Sequence, residues 1–223
     1  MALTKFNYNS FDLTTAASKG LAFNSDADGF ETSTPGSMTL IKTLTASSSA
    51  TLSFLNGSDS VVFDNTYPVY LFKYIGIHPE TNTASFTFQV DTGTNTSYNI
   101  TVTSTAFLCQ HDEGDSATSL AYNGAKDQAQ GTSFHTLLNE VGNGGDECGS
   151  GELYIFNPSS TTFVKHFIME TAYMHDYPAA WTQKYAGYIN TTSAVNAVSF
   201  IGEYAENQSG NIDAGTIILY GIN

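Results

Sequence analysis

Residues 152–169 constrain the fold more than any other stretch, because apolar side chains alternate along two runs separated by a turn. Leu153 and Ile155 point to one side of an extended backbone, and Tyr154 and Phe156 point to the other. The intervening Asn-Pro-Ser-Ser suits a reverse turn, since Asn bonds the backbone ahead of it and Pro presets φ. The stretch predicts a β-hairpin with one face on the core and the other on a second layer or a neighbouring chain.

Similar short runs recur along the chain about every 8 to 12 residues, with Gly, Asn, Asp and Ser between them. This spacing is typical of all-β domains, and 223 residues suit one large antiparallel β-sandwich. Residues 69–77 are the most apolar run and are predicted to form a central strand. The other predicted strands cover residues 38–44, 50–55, 60–64, 85–90, 98–108, 184–190, 195–201 and 216–222.

Asn56 and Gly57 predict a tight hairpin between residues 50–55 and 60–64, because a turn with positive φ at both central positions favours Asn-Gly. Residues 171–181 are predicted to form a loop.

Two segments lack this pattern. Residues 1–35 contain scattered aromatic residues and predict an extended N-terminal arm, with a short helix considered at residues 12–19. The arm would hold its aromatic side chains against its own domain or a neighbour, and both alternatives stay open. The predicted arm anchors are Phe6, Tyr8, Phe11 and Phe23.

The second such segment is a loop-rich insertion at about residues 110–151, with a short helix predicted at residues 133–141. Long irregular segments in a domain are usually functional, interfacial or mobile. The predicted organisation is therefore an arm (residues 1–35) and a sandwich domain (residues 36–223) that carries this insertion.

The chain is strongly acidic, with a formal net charge of −14, seven lysines and no arginine. Nucleic-acid binding requires clustered basic residues, so DNA, RNA and anionic membranes are not expected partners. No apolar run reaches the roughly 18 residues of a membrane span, and the first residues lack the apolar run of a signal peptide. We expect synthesis in a cytoplasm, with Cys109 and Cys148 as buried reduced thiols.

Two places in the sequence contain residue types that bind metal ions. The carboxylates around His111–Asp115 suit a hard cation such as Ca²⁺, but the segment lacks the Asp-x-Asp-x-Asp-Gly loop, and we expect a solvated turn there instead. A zinc site needs Cys and His ligands, whose spacing here matches no standard pattern. The residues of the right type are Cys109, His111, His135 and Cys148. No cofactor is predicted.

Catalysis is not predicted either. A β-sandwich glycosidase needs two carboxylates that flank a sugar cleft, and no strand carries Glu-x-Asp-x-x-Glu. Asp112 and Glu113 are adjacent in sequence and would diverge. No Gly-x-Ser-x-Gly or His-Glu-x-x-His motif occurs.

A group of aromatic residues near the end of the predicted hairpin suits either a protein interface or a sugar, because Tyr and Trp combine apolar area with a polar tip. The group consists of Tyr173, His175, Tyr177 and Trp181.

Four stretches carry a resemblance to a known group of proteins. Three of them are Met-Thr-Leu-Ile-Lys at 38–42, Tyr-Leu-Phe-Lys-Tyr-Ile-Gly-Ile-His-Pro at 70–79, and Asn-Pro-Ser-Ser-Thr-Thr-Phe-Val-Lys-His-Phe at 157–167. The fourth covers residues 209–222, where Gly210 and Gly215 flank a short loop before the last predicted strand. Together they resemble structural proteins of marine tailed bacteriophages, particularly those of cyanobacterial and similar hosts. The resemblance covers about residues 38–223.

The resemblance implies a jelly-roll-like or concanavalin-A-like sandwich in a virion component without enzymatic residues, and it does not distinguish head from tail. We predict a capsid decoration or cement protein that forms homo-oligomers and contacts the major capsid protein or tail proteins. The alternative is a tail-fibre or receptor-binding lectin that recognises host polysaccharide.

Overall fold

The computed structural model describes residues 20–23, 26, 30–33, 38–93, 97–204 and 209–223. The chain divides into two units, residues 1–39 and residues 40–223. The described residues form sixteen β-strands and no helix, which confirms the all-β prediction.

The first unit contains a two-stranded antiparallel hairpin, β1 (Gly20–Phe23) and β2 (Phe30–Ser33). The rings of Phe23 and Phe30 stack across it with centroids 5.0 Å apart. Phe23 is exposed, and its proposed role as an arm anchor stays a prediction. The helix considered at residues 12–19 and three predicted anchors lie outside the described residues, namely Phe6, Tyr8 and Phe11.

The remaining strands are divided between two antiparallel sheets. In chain order they are β3 (Met38–Thr45), β4 (Thr51–Leu55), β5 (Val69–Pro79), β6 (Ala84–Asp91), β7 (Val102–Asp112), β8 (Thr118–Tyr122), β9 (Ala129–Gly131), β10 (His135–Val141), β11 (Gly149–Phe156), β12 (Lys165–Met174), β13 (Ala179–Ile189), β14 (Ala197–Glu203), β15 (Ser209–Gly210) and β16 (Ile212–Ile222).

The larger sheet has nine strands in the order β3-β16-β5-β11-β12-β13-β7-β8, with β9 also paired to β7. The smaller sheet has five strands in the order β10-β6-β14-β15, with β4 also paired to β14. The predicted antiparallel β-sandwich is therefore confirmed. Its jelly-roll-like connectivity stays a prediction.

Aromatic side chains fill the space between the two sheets. Phe200 of the smaller sheet packs on Phe72 of the larger sheet with ring centroids 5.4 Å apart, and Phe88 packs on Phe167 at 5.6 Å. All four side chains are buried. Such rings bury large apolar areas and gain further stability from edge and offset contacts.

The hairpin predicted at residues 152–169 is present as β11 and β12. Leu153 and Ile155 are buried on the core side, as the alternation predicts. The Ser160 N–H donates to the Asn157 carbonyl oxygen at 3.1 Å, which closes a turn with Pro158 at its second position. The strand β12 begins at residue 165, two residues later than the apolar pattern indicates.

The hairpin predicted at Asn56 and Gly57 is wrong. A tight Asn-Gly turn needs positive φ at both residues, and only Gly57 has it. The Asn56 side chain instead accepts a hydrogen bond from the Phe63 N–H at 2.8 Å, and this loop directs Phe63 into the core. Strand β4 pairs with β14 rather than with residues 60–64.

The helix predicted at residues 133–141 is also wrong, because this segment forms β10. Register shifts between β10 and β6 leave the adjacent residues Leu137 and Leu138 both buried, so the apolar spacing imitates a helix. Glu140 has φ of +53°, which a helix does not allow.

The prediction that residues 110–151 form a loop-rich insertion without strands is also wrong. Strands β8 and β9 extend the larger sheet, and β10 extends the smaller one, although long turns separate them. The loop predicted at residues 171–181 is mostly strand, because β12 reaches Met174 and β13 begins at Ala179.

Substitution of Phe200 tests the sandwich core. We expect Phe200→Ala to lower the free energy of unfolding by about 3 to 5 kcal/mol, because it leaves a cavity among aromatic rings of both sheets. Phe163→Ala is the matched control, since Phe163 is 70% exposed and its truncation should leave stability nearly unchanged. Urea unfolding measures both. An equal loss in the two variants would contradict the assigned core.

Candidate functional site

The predicted aromatic group lies at the turn between β12 and β13. Tyr173 and Trp181 are direct cross-strand partners, and His175 and Tyr177 belong to the turn itself. The His175 ring centroid lies 4.1 Å from that of Trp181 and 4.4 Å from that of Tyr177. The structure therefore brings all four residues together.

Burial decides what this group can do. Tyr173 is 5% exposed, Trp181 is 9% exposed and His175 is 3% exposed, whereas Tyr177 is 41% exposed. Burial also raises the pKa of Tyr173 well above its usual value. Three of the rings are used in packing that closes this end of the sandwich, and Tyr177 remains as the accessible ring.

The acidic turn after β7 lies beside the aromatic group. The Glu113 N–H donates to the Pro178 carbonyl oxygen at 2.9 Å, and a shallow depression of about 450 Å³ lies between the two turns. The two turns lie about 60 residues apart in the sequence, so nothing in the sequence pattern predicts that they meet. The depression is lined by His111, Asp112, Glu113, Asp115, Tyr173, Met174, Ala179 and Ala180.

The carboxylate of Asp112 closes its own turn. It accepts hydrogen bonds from the Ser116 hydroxyl, the Ser116 N–H and the Ala117 N–H. These bonds hold the pKa of Asp112 below its usual range, and the bond from the Ser116 hydroxyl has the largest effect. His111 is within 3.1 Å of Asp115 on the same turn. The Asp112 oxygens thus serve as acceptors for the backbone, which is the usual work of an Asp in a turn.

The candidate zinc ligands do not converge. Cys109 is on an exposed face of β7, whereas His135 is buried between the sheets. Across the described ranges no group of three or more His, Cys, Asp or Glu side chains is placed to hold a metal ion. Cys109 and Cys148 are both exposed free cysteines, so the prediction of buried thiols is wrong.

His135 instead occupies an apolar core position. Its Nε2 lies 2.8 Å from the Ser104 hydroxyl, and its ring packs on Tyr185 and Phe167 with centroids 4.9 and 5.4 Å away. Burial lowers its pKa to about 4, because a charged imidazole would lose its hydration there. The folded protein therefore holds His135 neutral at pH 7.

A broad apolar surface covers the outer face of the larger sheet, the face turned away from the smaller sheet. The residues on this face lie directly opposite each other across adjacent strands. Ile168 at its centre is half exposed. One row consists of Tyr220, Leu71, Tyr154, Ile168 and Ala186, and the next contains Ile222, Val69 and Phe156. Leu71 is itself only 3% exposed, whereas the other members of the two rows are at least partly exposed. We call these two rows the outer apolar face.

A row of paired charges borders the outer apolar face. Glu152 and Glu170 are cross-strand partners, and each has a lysine on its other side. The Lys184 ammonium lies 2.9 Å from the Glu170 carboxylate, and the Lys73 ammonium lies 3.9 Å from the Glu152 carboxylate. The Tyr154 hydroxyl also donates to Glu152 at 3.0 Å. The row is therefore neutral in a chain whose net charge is −14.

A polar groove of about 960 Å³ lies beside β6, β10 and the end of β14. It combines hydroxyl, amide, carboxylate and ammonium groups with two aromatic rings. Its lining includes Ser85, Lys126, Ser133, Phe134, Glu140 and Tyr204.

The sequence predicted the hairpin's part of the outer apolar face as a contact surface, but not the rest of that face and not the groove. The alternation of Tyr154 and Phe156 indicated apolar residues on the second face of the hairpin, but the full surface depends on the register of five strands. The groove depends on loops that meet only after the sheets have packed.

No family model, curated protein or solved structure matches the chain. A helix able to cross a membrane is not found in the part of the chain that the structure describes.

The buried His135 makes stability depend on pH. The unfolded chain binds a proton near pH 6.5 and the folded chain only near pH 4, so stability falls as pH drops from 6.5 towards 4. Between pH 7 and pH 5 the loss from this group is about 2 kcal/mol.

We expect His135→Gln to flatten this dependence in urea unfolding series at pH 5, 6 and 7. His166→Gln is the matched control, because His166 is exposed on the outer face of the larger sheet, and it should keep the wild-type slope. An unchanged slope in His135→Gln would contradict the assignment.

Proposed function

We propose that this chain is a non-enzymatic structural protein of a tailed-bacteriophage particle, which decorates the capsid surface. It attaches to other virion proteins through the outer apolar face. The proposal places the protein in the virion after synthesis in the host cytoplasm.

The outer apolar face is the observation that carries this proposal. Folded proteins rarely leave large apolar patches in water, and contiguous patches bordered by polar residues mark interaction sites. The bordering row of paired charges keeps the surface neutral, so an acidic partner is not repelled. The sequence resemblance to virion proteins then favours a shell of other virion proteins as that partner.

The acidic remainder of the surface fits the same role. Most of the 21 acidic residues lie outside the outer face, and net charge keeps protein surfaces soluble and apart. A decoration protein needs one adhesive face and an otherwise non-adhesive surface.

Capsid binding by an outer-face variant tests this function. Empty capsids of the virus that encodes the chain, purified without it, are sedimented with the wild-type protein and with Ile168→Glu. We expect Ile168→Glu to weaken binding about tenfold or more, because it places a third carboxylate beside Glu152 and Glu170 in a desolvated contact. Val62→Glu makes the same change in the loop between β4 and β5 and should bind like the wild type.

Two further results would decide the location. Deletion of residues 1–35 is expected to weaken capsid attachment, as the arm prediction implies. Quantitative mass spectrometry of virions should find hundreds of copies per particle. A handful of copies, or no capsid binding by the wild type, would refute a decoration role.

A second function, host-polysaccharide binding, is favoured by the polar groove rather than by the aromatic group. Saccharide sites combine aromatic rings with hydroxyl, amide and carboxylate partners, which the groove supplies. Trp181, in contrast, is buried and cannot stack on a sugar.

Glycan binding is therefore best tested in the groove. If the chain is a receptor-binding protein, we expect Tyr204→Ala to abolish retention on host polysaccharide, because the exposed ring lines the groove. Tyr177→Ala removes an equally exposed tyrosine elsewhere and should leave retention unchanged. Absence of retention by the wild type on polysaccharide from the host excludes this second function.

A further inference from the structure

The strand β8 is an unprotected edge of the larger sheet. In the described part of the chain its only strand neighbour is β7. All five of its residues are exposed, and Leu120 is 75% exposed. An exposed strand edge presents unpaired N–H and C=O groups to any extended partner.

The hydrogen-bond pattern identifies which backbone groups face outward. The Asn123 N–H donates to the Ala106 carbonyl oxygen at 2.9 Å, and the Asp112 N–H donates to the Ala117 carbonyl oxygen at 3.1 Å. In an antiparallel pair the hydrogen-bonded positions alternate, so positions 117, 119, 121 and 123 bond to β7. The backbone groups of the intervening residues point away from β7. These are Thr118, Leu120 and Tyr122.

Strand β8 lacks the charged residues, prolines and bulges that normally prevent an edge strand from pairing with another chain. Its sequence Thr-Ser-Leu-Ala-Tyr has no charge and no proline, and its pairing with β7 has no bulge. The edge strand of the smaller sheet differs, because β10 has two register shifts and its Val141 bridges to His175.

The side chains around the edge are also apolar. Phe107, Leu120 and Tyr122 are exposed on one face, and the rings of Phe107 and Tyr122 lie 6.0 Å apart. The other face of β8 carries the small residues Ser119 and Ala121. A partner strand would therefore gain apolar contacts on one face and meet no bulky side chain on the other.

We propose that two copies of this chain pair antiparallel through β8, with the two-fold axis at Leu120. The two larger sheets then continue into one. This inference stands on the sheet edge alone and holds whether or not the protein belongs to a virion.

A second copy fits this edge because the strand is complementary to itself. With the axis at Leu120, each Leu120 opposes its own copy, and Thr118 opposes Tyr122. These are the residues whose N–H and C=O groups face outward, so each pair exchanges both backbone hydrogen bonds. An isologous contact of this kind closes as a dimer and leaves no further free copy of the same edge.

The charges at the ends of β8 favour the same arrangement. The turn before β8 carries Glu113 and Asp115, and the turn after it carries Lys126 and Asp127. The Asp127 carboxylate already accepts a hydrogen bond from the Tyr122 hydroxyl of its own chain, which leaves the Lys126 ammonium as the unpartnered charge of that turn among the described residues. An antiparallel pair places the acidic turn of one copy near the lysine turn of the other. Within the described ranges Lys126 forms no ion pair of its own, so it is free to meet these carboxylates.

Light scattering of the full chain at about 100 µM tests the dimer. The wild type should have twice the chain mass of 23.9 kDa. Leu120→Pro should be monomeric, because it removes an outward N–H and spares the bonds to β7. Leu120→Lys should also be monomeric, because the two introduced ammonium groups would lie directly opposite each other at the two-fold axis and repel. Ile75→Lys, a matched change at another exposed position of the same sheet, should remain dimeric.

Hydrogen exchange locates the contact. In the dimer the amides of Thr118, Leu120 and Tyr122 should exchange slowly, and in Leu120→Lys those of Thr118 and Tyr122 should exchange freely. The charge arrangement is tested by Lys126→Glu, which should weaken the dimer several-fold, and by adding Glu113→Lys to it, which should restore the affinity.

Three results would each overturn the proposal. They are a monomeric wild type at 100 µM, a dimer that survives both Leu120 substitutions, and a dimer whose β8 amides exchange freely. An unchanged affinity in Lys126→Glu would overturn the antiparallel register. Capsid binding does not enter these measurements, so the dimer and the decoration role can fail separately.

Discussion

Contact between aromatic rings of two facing sheets is the interaction on which this molecule depends. Phe200 touches rings from both sheets, and Phe88 reaches across to Phe167. Because each sheet turns one face towards this layer, a regular strand packed on it presents every second side chain to the core. The outer apolar face, the polar groove and the open edge of β8 are all surfaces that this packing leaves in contact with solvent.

Charge is distributed unevenly around that core. The few lysines are used at specific places: Lys73 and Lys184 neutralise glutamates on the outer face, and Lys165 is buried. The Lys165 ammonium donates to the carbonyl oxygens of Thr191 and Ser193, which holds the loop before β14, and burial lowers its pKa. The remaining surface is acidic, so apolar or charge-neutral surface is confined to the places where apolar side chains are exposed or carboxylates are paired.

The sequence predicted the fold wherever alternation reports burial. The hairpin at residues 152–169 was predicted correctly because Leu153 and Ile155 face a core while their neighbours do not. Alternation fails where a strand is bulged, as with Leu137 and Leu138, or fully exposed, as in β8. It also fails where buried positions are polar. Thr171 near the end of β12 and His175 in the turn that follows are both buried, and their polar side chains made this segment resemble a loop.

The candidate sites were predictable only in part, for a different reason. The aromatic group was found because its members are close in sequence, but their burial follows from the cross-strand pairing of Tyr173 with Trp181. The outer apolar face joins residues from β5, β11, β12, β13 and β16, whose register no single segment encodes. A site built from distant segments becomes visible only when the pairing of strands is known.

The position of β16 has a consequence for how the molecule reaches its folded state. Residues 212–222 lie between β3 and β5, so these two strands pair with a neighbour that is synthesised after all the other described strands. Chains dominated by such distant pairings fold in milliseconds to seconds rather than microseconds. Until β16 pairs with it, one edge of β5 keeps its backbone N–H and C=O groups unpaired. On a messenger that carries several ribosomes, the unpaired β5 edges of neighbouring nascent chains would be close enough to pair with each other.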